Sequence, residues 1–320
     1  MITSIILFLV GLVLLIKGGD WFVDGATGIA HKFHVPDLLI GATVVSIGTT
    51  LPEVMVSATS AVSGHGEIAY GNAIGSIICN TALIAAISIA VKPSRVDKKT
   101  LTIPVIFFYV STALYLFSAY VTKRFDRVTG VLLLLIFVTY IGIQVYQAMH
   151  GKNPEAAAAD AEVAAAEADT ASNSTGKDLL LLVIGAAFIA IGANLLVDNG
   201  IIIAGLLGVP ESVIALTFVA LGTSLPELVT AITSLRKGHG LLSLGNIIGA
   251  NLFNLVLVSG VSILLSPFDL PNSKQIGAYN ASLVVDIPVM PPLIKGRMTR
   301  LQGIILLAIY AAFCIFQFAL

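Results

Sequence analysis

The sequence predicts an all-α polytopic membrane protein with ten transmembrane helices in two inverted five-helix repeats. Composition, the number of apolar runs and an internal repeat predict it. Of 320 residues, 57% are hydrophobic and 11% charged, and the mean hydropathy is +0.98; a soluble domain carries roughly 25% charged residues. A helix crossing about 30 Å of hydrocarbon needs about 20 residues. Runs of that order lie near 2–28, 37–62, 69–91, 100–121, 128–149, 178–206, 212–234, 241–265, 279–294 and 301–319. Short strands with period-two alternation are absent, which argues against a lipid-facing β-barrel.

The first run has no basic residue before it, continues past Lys17 and lacks a small-x-small cleavage pattern. It reads as a span rather than a signal peptide. Lys17 is expected to snorkel or to pair with Asp20. The first five runs make one repeat, residues 1–150, and the last five make the other, 178–320. Between them lie residues 151–177, which include the acidic, alanine-rich "NPEAAAADAEVAAAEADTASNSTG". That stretch lacks the apolar content for a core and reads as a solvated linker. Cys79 and Cys314 fall inside apolar runs and read as packing residues.

With the N-terminus outside, twelve of the 17 basic residues fall in cytoplasmic loops and four in outer loops, Lys17 lying within a span. The positive-inside rule then places both termini outside a plasma membrane and the linker in the cytoplasm. A net charge of −1 gives no sign of a nucleic-acid partner, and no protein partner is expected beyond the bilayer. No His-Glu-x-x-His occurs, and "KGGD" at Lys17–Asp20 is not Gly-x-Gly-Asp, so the chain does not read as an intramembrane protease or other enzyme. A channel usually builds its pore from symmetric subunits, whereas this chain carries its own symmetry.

Ile40–Asn80 and Ile214–Asn254 align without a gap at an offset of 174, with eighteen of 41 positions identical. The shared residues are not merely aliphatic. They include Gly-Thr-x-Leu-Pro-Glu ("GTTLPE", "GTSLPE"), Gly-His-Gly and Gly-Asn-x-Ile-Gly. Five spans per half is an odd number, so the second half enters the membrane from the opposite side. Inverted repeats of this kind are frequent in secondary transporters, whose sites lie near the midplane at interrupted helices. The symmetry is expected to bring Glu53 and Glu227 together there.

Pro52 has no N–H, so the Gly48 carbonyl loses its helical donor and the helix is expected to kink, with Gly48 tolerating the unusual backbone. Backbone oxygens near Ser46 to Thr49 are then available to another ligand. Thr49 and Glu53, four apart, share a helical face; Ala220, Gly222, Thr223, Pro226 and Glu227 repeat the arrangement. The Gly71-Asn72-x-x-Gly75 and Gly245-Asn246-x-x-Gly249 spacings predict close helix packing. That packing would present Ser76 and Asn80, and Ala250 and Asn254, to the glutamates. A carboxylate at the centre of a membrane helix costs about 2.5–3.5 kcal/mol on insertion scales. Each motif lacks Lys and Arg except for Arg236 and Lys237 at a loop, so the counter-charge is expected to be a travelling cation. Carboxylate, carbonyl, hydroxyl and amide oxygens suit Ca²⁺, which takes about 6–8 of them, and Na⁺ can use the same atoms. Missing sulfur and imidazole ligands argue against softer metals. Asp24 and Asp198 read as helix-end or entrance charges, and His65 and His239 as turn residues. Thr43, Thr217, Ser57, Thr59 and Thr233 are expected to bond back to the preceding turn.

"GTTLPE" with "GNAIGSIICN", and "GTSLPE" with "GNIIGANLFN", resemble the α-repeats of the sodium/calcium exchanger branch of the calcium/cation antiporter superfamily, of prokaryotic type. The resemblance spans both halves in order. It implies Na⁺/Ca²⁺ exchange by alternating access, with the first and sixth spans sliding past a rigid centre and no cofactor beyond the transported ions. It implies that Glu53 and Glu227 bind Ca²⁺, with Thr49 and Thr223 beside them. It also implies Na⁺ sites using the Ser46 and Ala220 carbonyls, Thr50, Ser224, Ser76, Asn80 and Asn254. Two departures stand out. Ala250 replaces a common Ser, removing one hydroxyl ligand. Asn254 stands where potassium-dependent relatives have Asp, which argues against K⁺ co-transport. An H⁺-coupled Ca²⁺ antiporter of the same fold is the alternative, although "GNAIG" and "GNIIG" do not match the "GNAVE"-like motif of that branch.

Overall fold

The computed structural model describes residues 2–33, 35, 37–64, 66–93, 98–150, 175–206, 220–269 and 298–319. Eight of the ten expected runs begin and end on helices close to their predicted limits. These are α1 (Ile2–Phe33), α2 (Leu38–Val62), α3 (Ala69–Val91), α4 (Leu101–Thr122), α5 (Arg127–His150), α6 (Thr175–Leu206), α8 (Gly240–Leu265) and α9 (Arg300–Ala319). Seven of them, α1 to α6 and α8, are long and apolar enough to cross a membrane. Of the 212–234 run, residues from 220 are described: a short helix Ala220–Thr223 and then α7 (Leu225–Arg236). The 279–294 run, His65, Thr217 and residues 151–174 of the linker lie outside the described residues.

The chain packs as two compact units, Met1–Thr49 with Gln144–Asn246, and Thr50–Ile143 with Ile247–Leu320. Each takes segments from both sequence repeats.

In the first unit α1 lies against α6, and glycines decide how closely. Gly11, Gly18 and Gly25 recur every seven residues on α1, and Gly185 and Gly192 are seven apart on α6. That spacing is two helical turns, so the glycines share a stripe. A Cβ on Gly18 would lie 2.8 Å from the Ile189 nitrogen, one on Gly185 2.5 Å from the Phe22 nitrogen, and one on Gly192 2.8 Å from the Leu15 nitrogen. Backbone meets backbone, as small-residue seams in membranes permit. Gly25 lies by Leu182, Gly18 by Gly185, and Gly11 by Gly192. The partner number rises as the α1 number falls, so the helices are antiparallel. The offset of 174 carries Gly11 to Gly185 and Gly18 to Gly192. Each contact is therefore the image of the other, the self-complementary pattern a two-fold axis creates. The repeats are inverted, and their axis passes through this seam. Around it Leu15, Phe22, Val23 and Ala26 of α1 pack with Leu182 and Ile189 of α6, Val45 of α2 and Leu242 of α8.

In the second unit α9 crosses α3, where a Cβ on Gly303 would meet the Ala86 carbonyl at 2.6 Å, and α5 crosses α8 at Gly130. After α4 the chain forms β1 (Arg124–Phe125), antiparallel to β2 (Phe268–Asp269) in the register Arg124↔Asp269 and Phe125↔Phe268. Its aromatic side chains join Tyr70 and Tyr115, with Tyr115 and Phe125 ring centres 4.8 Å apart. Asp126 then caps α5, its Oδ1 accepting the Thr129 N–H at 2.9 Å and the Thr129 hydroxyl at 3.0 Å.

The Gly-His-Gly loops carry a matched turn. Gly64 has φ +83° and Gly238 φ +91°, a left-handed backbone that glycine adopts without a Cβ penalty.

Candidate cation site

The first motif enters through a widened turn. Gly41–Val45 at the start of α2 is π-helical, a form common at functional sites. The Ser46 N–H bonds the Gly41 carbonyl five residues back, and the Ser46 hydroxyl bonds the same oxygen at 2.7 Å. Here α8 crosses α2 in glycine-to-backbone contact, Gly41 against the Leu242 carbonyl and Gly245 against the Leu38 carbonyl. The crossing delivers Asn246. Its backbone oxygen accepts the Ser46 hydroxyl at 3.0 Å, and its Oδ1 accepts the Thr49 hydroxyl at 3.2 Å. Ser46, Thr49 and Asn246 are all buried.

The first copy stays helical from Ser46 to Val62 through Pro52. Local adjustment re-satisfies backbone groups released by proline in membrane helices, and here the irregular turn lies upstream. Gly48 does not adopt a positive φ. It makes room: a Cβ there would meet the Phe22 ring tip at 2.9 Å. The second copy does break. Ser224, with φ −93° and ψ 6°, separates Ala220–Thr223 from α7. Pro226 falls in the opening turn, where its missing N–H costs little. Glu227 sits in the same first turn, where the helix dipole is positive.

The predicted residues divide by unit. Ser46, Thr49, Ala220, Thr223, Ser224 and Glu227 belong to the first; Thr50, Glu53, Ser76, Asn80 and Asn254 belong to the second. Glu53 and Glu227 are each 0% exposed, and Thr50, Ser76, Asn80, Ser224 and Asn254 are buried too. Thr223 is half-buried.

In the second unit Asn80 opens the π-helical stretch with Cys79 (Cys79–Ala85), and Asn254 begins another (Asn254–Val258). The Asn254 amide donates to the Ala250 carbonyl at 3.0 Å, which fixes its Oδ1 on the other side. Among the described residues that Oδ1, the Ser76 and Ser224 hydroxyls and both polar atoms of the Asn80 amide are buried without a hydrogen-bond partner. Leaving such a group unmade costs about 1–3 kcal/mol each. The atoms that carry this penalty include hard oxygens, the chemistry that Ca²⁺ and Na⁺ accept.

Several expectations are corrected. Gly71 and Gly75 do not draw helices together, since a Cβ on either meets nothing within 4 Å; their small size leaves space. Ser57 accepts the Asn72 amide at 2.8 Å, and the same amide reaches the Glu53 carbonyl at 3.5 Å. Asp24 pairs with Lys237 at 2.6 Å, and the ammonium also bonds the Asp20 carbonyl at 2.9 Å. The lysine of the second motif is thus committed to α1, and Arg236 is exposed. His239 lies at the Gly-His-Gly turn as expected, and it is buried there with its ring centre 6.1 Å from that of His31 and the planes tilted by 52°. Thr43 bonds back to the Leu39 carbonyl at 2.7 Å as expected.

Asn72, Asn246 and Asn251 make side-chain hydrogen bonds within their own units without having been singled out as ligands. The first two had a signal, their place in the repeated Gly-Asn. Asn251, whose amide donates to the Thr81 hydroxyl at 2.6 Å, had none, because its repeat counterpart is Ile77.

The sodium/calcium exchanger protein family model matches residues 3–146 and 177–319. The sodium/calcium exchanger MaX1 of Methanosarcina acetivorans is 31% identical, over 98% of both chains. The inner membrane protein YrbG of Escherichia coli is 33% identical over 90% of this chain and 87% of its own. A solved structure of the sodium-calcium exchanger NCX_Mj superposes with a TM-score of 0.82 at 32% identity, covering 98% of this chain and 97% of that one.

Proposed function

The chain belongs to the sodium/calcium exchanger protein family, and from that premise we propose that it exchanges Na⁺ for Ca²⁺ across a membrane, with Glu53 and Glu227 as the carboxylates that take the ions. One observation carries the reading. Two glutamates at equivalent positions of an inverted repeat are each 0% exposed. Such burial is expensive unless a cation offsets the charge.

In this reading Thr49 and Thr223 lie beside the Ca²⁺-binding carboxylates. Na⁺ uses the Ser46 and Ala220 carbonyls and the side chains of Thr50, Ser224, Ser76, Asn80 and Asn254. The orphaned oxygens of Ser76, Asn80, Ser224 and Asn254 support that assignment. Because both ions need the same glutamates, only one kind is carried per half-cycle. If more than two Na⁺ replace one Ca²⁺, net charge crosses, and the membrane potential contributes about 2.3 kcal/mol per charge per 100 mV. Both termini lie outside and the 151–177 linker lies in the cytoplasm.

The test is Na⁺-driven ⁴⁵Ca²⁺ uptake into proteoliposomes, comparing the parent with Glu53→Gln and Glu227→Gln. Each variant is expected to lose exchange, and retained exchange in both removes the site. A pH gradient substituted for the Na⁺ gradient is expected to drive no uptake; uptake there would favour H⁺ coupling.

A further inference from the structure

We propose that Asn246 is a positioning residue for transport, acting on the ion through Thr49. The inference rests on the proposed function and adds a residue to it. A hydroxyl that ligates a cation must point a lone pair at the ion and dispose of its hydrogen elsewhere. Asn246 provides that second acceptor for Thr49: its Oδ1 takes the Thr49 hydrogen across 3.2 Å. The Ser46 hydroxyl lies 3.0 Å from the Asn246 backbone oxygen and nearer, at 2.7 Å, to the Gly41 carbonyl. The other acceptor within reach of Thr49, the Ser46 carbonyl, is at the margin at 3.5 Å. That same carbonyl is a proposed Na⁺ ligand, so a Thr49 hydrogen turned onto it would compete with the ion.

The backbone around Asn246 is closely packed. Gly245, the preceding residue, rests on the Leu38 carbonyl, and a Cβ on Gly41 would lie 2.9 Å from the Asn246 nitrogen. Asn246 therefore sits at the closest approach of α8 to α2, fully buried. The other motif is held differently: its Asn72 donates to Ser57 and to the Glu53 carbonyl. Neither serine has a counterpart under the repeat, since Ala231 stands for Ser57 and Ala220 for Ser46. The two asparagines therefore occupy one repeat position and serve different elements of the motif.

The experiment measures Na⁺-driven ⁴⁵Ca²⁺ uptake in proteoliposomes for Asn246→Leu, Asn246→Asp, Thr49→Val and the pairwise combinations with Thr49→Val. Apparent KM for Ca²⁺, maximal rate and melting temperature in detergent are read for each. Asn246→Leu is expected to raise the Ca²⁺ KM about tenfold, the effect of one misplaced hydrogen bond to a charged ligand. Its combination with Thr49→Val is expected to be no worse than Thr49→Val alone. Asn246→Asp keeps an acceptor oxygen and is expected to stay within about threefold of the parent until Thr49→Val is added. Parent-like KM in Asn246→Leu, or losses that multiply in the double variant, would overturn the proposal. If Asn246→Leu does not fold, Asn246→Asp decides: a KM equal to that of Thr49→Val overturns it. Should Glu53→Gln and Glu227→Gln retain exchange, the underlying site reading fails. Should they lose it while Asn246→Leu is neutral, only this inference fails.

Discussion

Gly18 of α1 and Gly185 of α6 touch through their backbones: a methyl group added to Gly18 would sit 2.9 Å from the Gly185 carbonyl oxygen. Real Cβ atoms do not come that near, so a side chain there must part the two helices. Gly18→Leu is expected to destabilise the protein by about 1–3 kcal/mol, the usual range for overpacking, read as a lower melting temperature in detergent. Gly142→Ala is the comparison. A Cβ there meets nothing within 4 Å, and alanine is favoured in helices by up to about 1 kcal/mol. If the two variants melt alike, the seam is looser than described.

The Lys237–Asp24 pair is part-exposed, 27% and 51% for the two side chains. Solvent screens such a pair, so its contribution is expected below about 1 kcal/mol. Lys237→Ala and Asp24→Ala should each lower the melting temperature slightly, and the swap Asp24→Lys with Lys237→Asp should recover part of the loss. Molar salt should shrink the difference between parent and single variants. A loss unaffected by salt would assign the stabilisation to the Lys237 bond with the Asp20 carbonyl instead.

At the start of α5 the Thr129 N–H, and then its hydroxyl, hold the Asp126 carboxyl below its usual 3.8, with Arg124 adding a smaller pull in the same direction. A depressed carboxyl stabilises the folded chain above its unfolded pKa, and the contribution fades as pH falls through the folded value. Asp126→Ala should therefore melt below the parent at neutral pH, with the gap closing in acid below pH 3.8. Melting curves at both pH values decide it; a gap that stays constant would mean the capping bonds do not depend on the charge.

Sidedness can be read chemically. With Cys79 and Cys314 replaced by alanine, a cysteine at Ala158 in the linker should react with a membrane-impermeant maleimide only in inside-out vesicles. Labelling of intact cells would reverse the proposed orientation.

Much of this was legible in the residues. Apolar run length located α1 to α6 and α8 because a helix in lipid must satisfy its own backbone, and the 174-residue offset gave the inversion that Gly11, Gly18, Gly185 and Gly192 display. The buried state of Glu53 and Glu227 followed from their place in the repeat. Other features were out of reach. A sequence cannot tell whether a proline will break its helix: Pro52 leaves α2 continuous, whereas the chain breaks at Ser224 before Pro226. The role of Gly48 depends on Phe22, and that of Asn246 on α2, and both contacts arise only once helices pack. Asp24 and Lys237 lie 213 residues apart, and no local pattern pairs them.

The widened turns at Cys79–Ala85 and Asn254–Val258 occupy matching places in the two halves. A π turn holds one residue more than the helical turn it replaces, and the 174-residue alignment passes through both stretches with no gap. Asn80 and Asn254 therefore enter their widened turns at the same repeat position, so one local distortion of the helix accompanies an equivalent asparagine in each half.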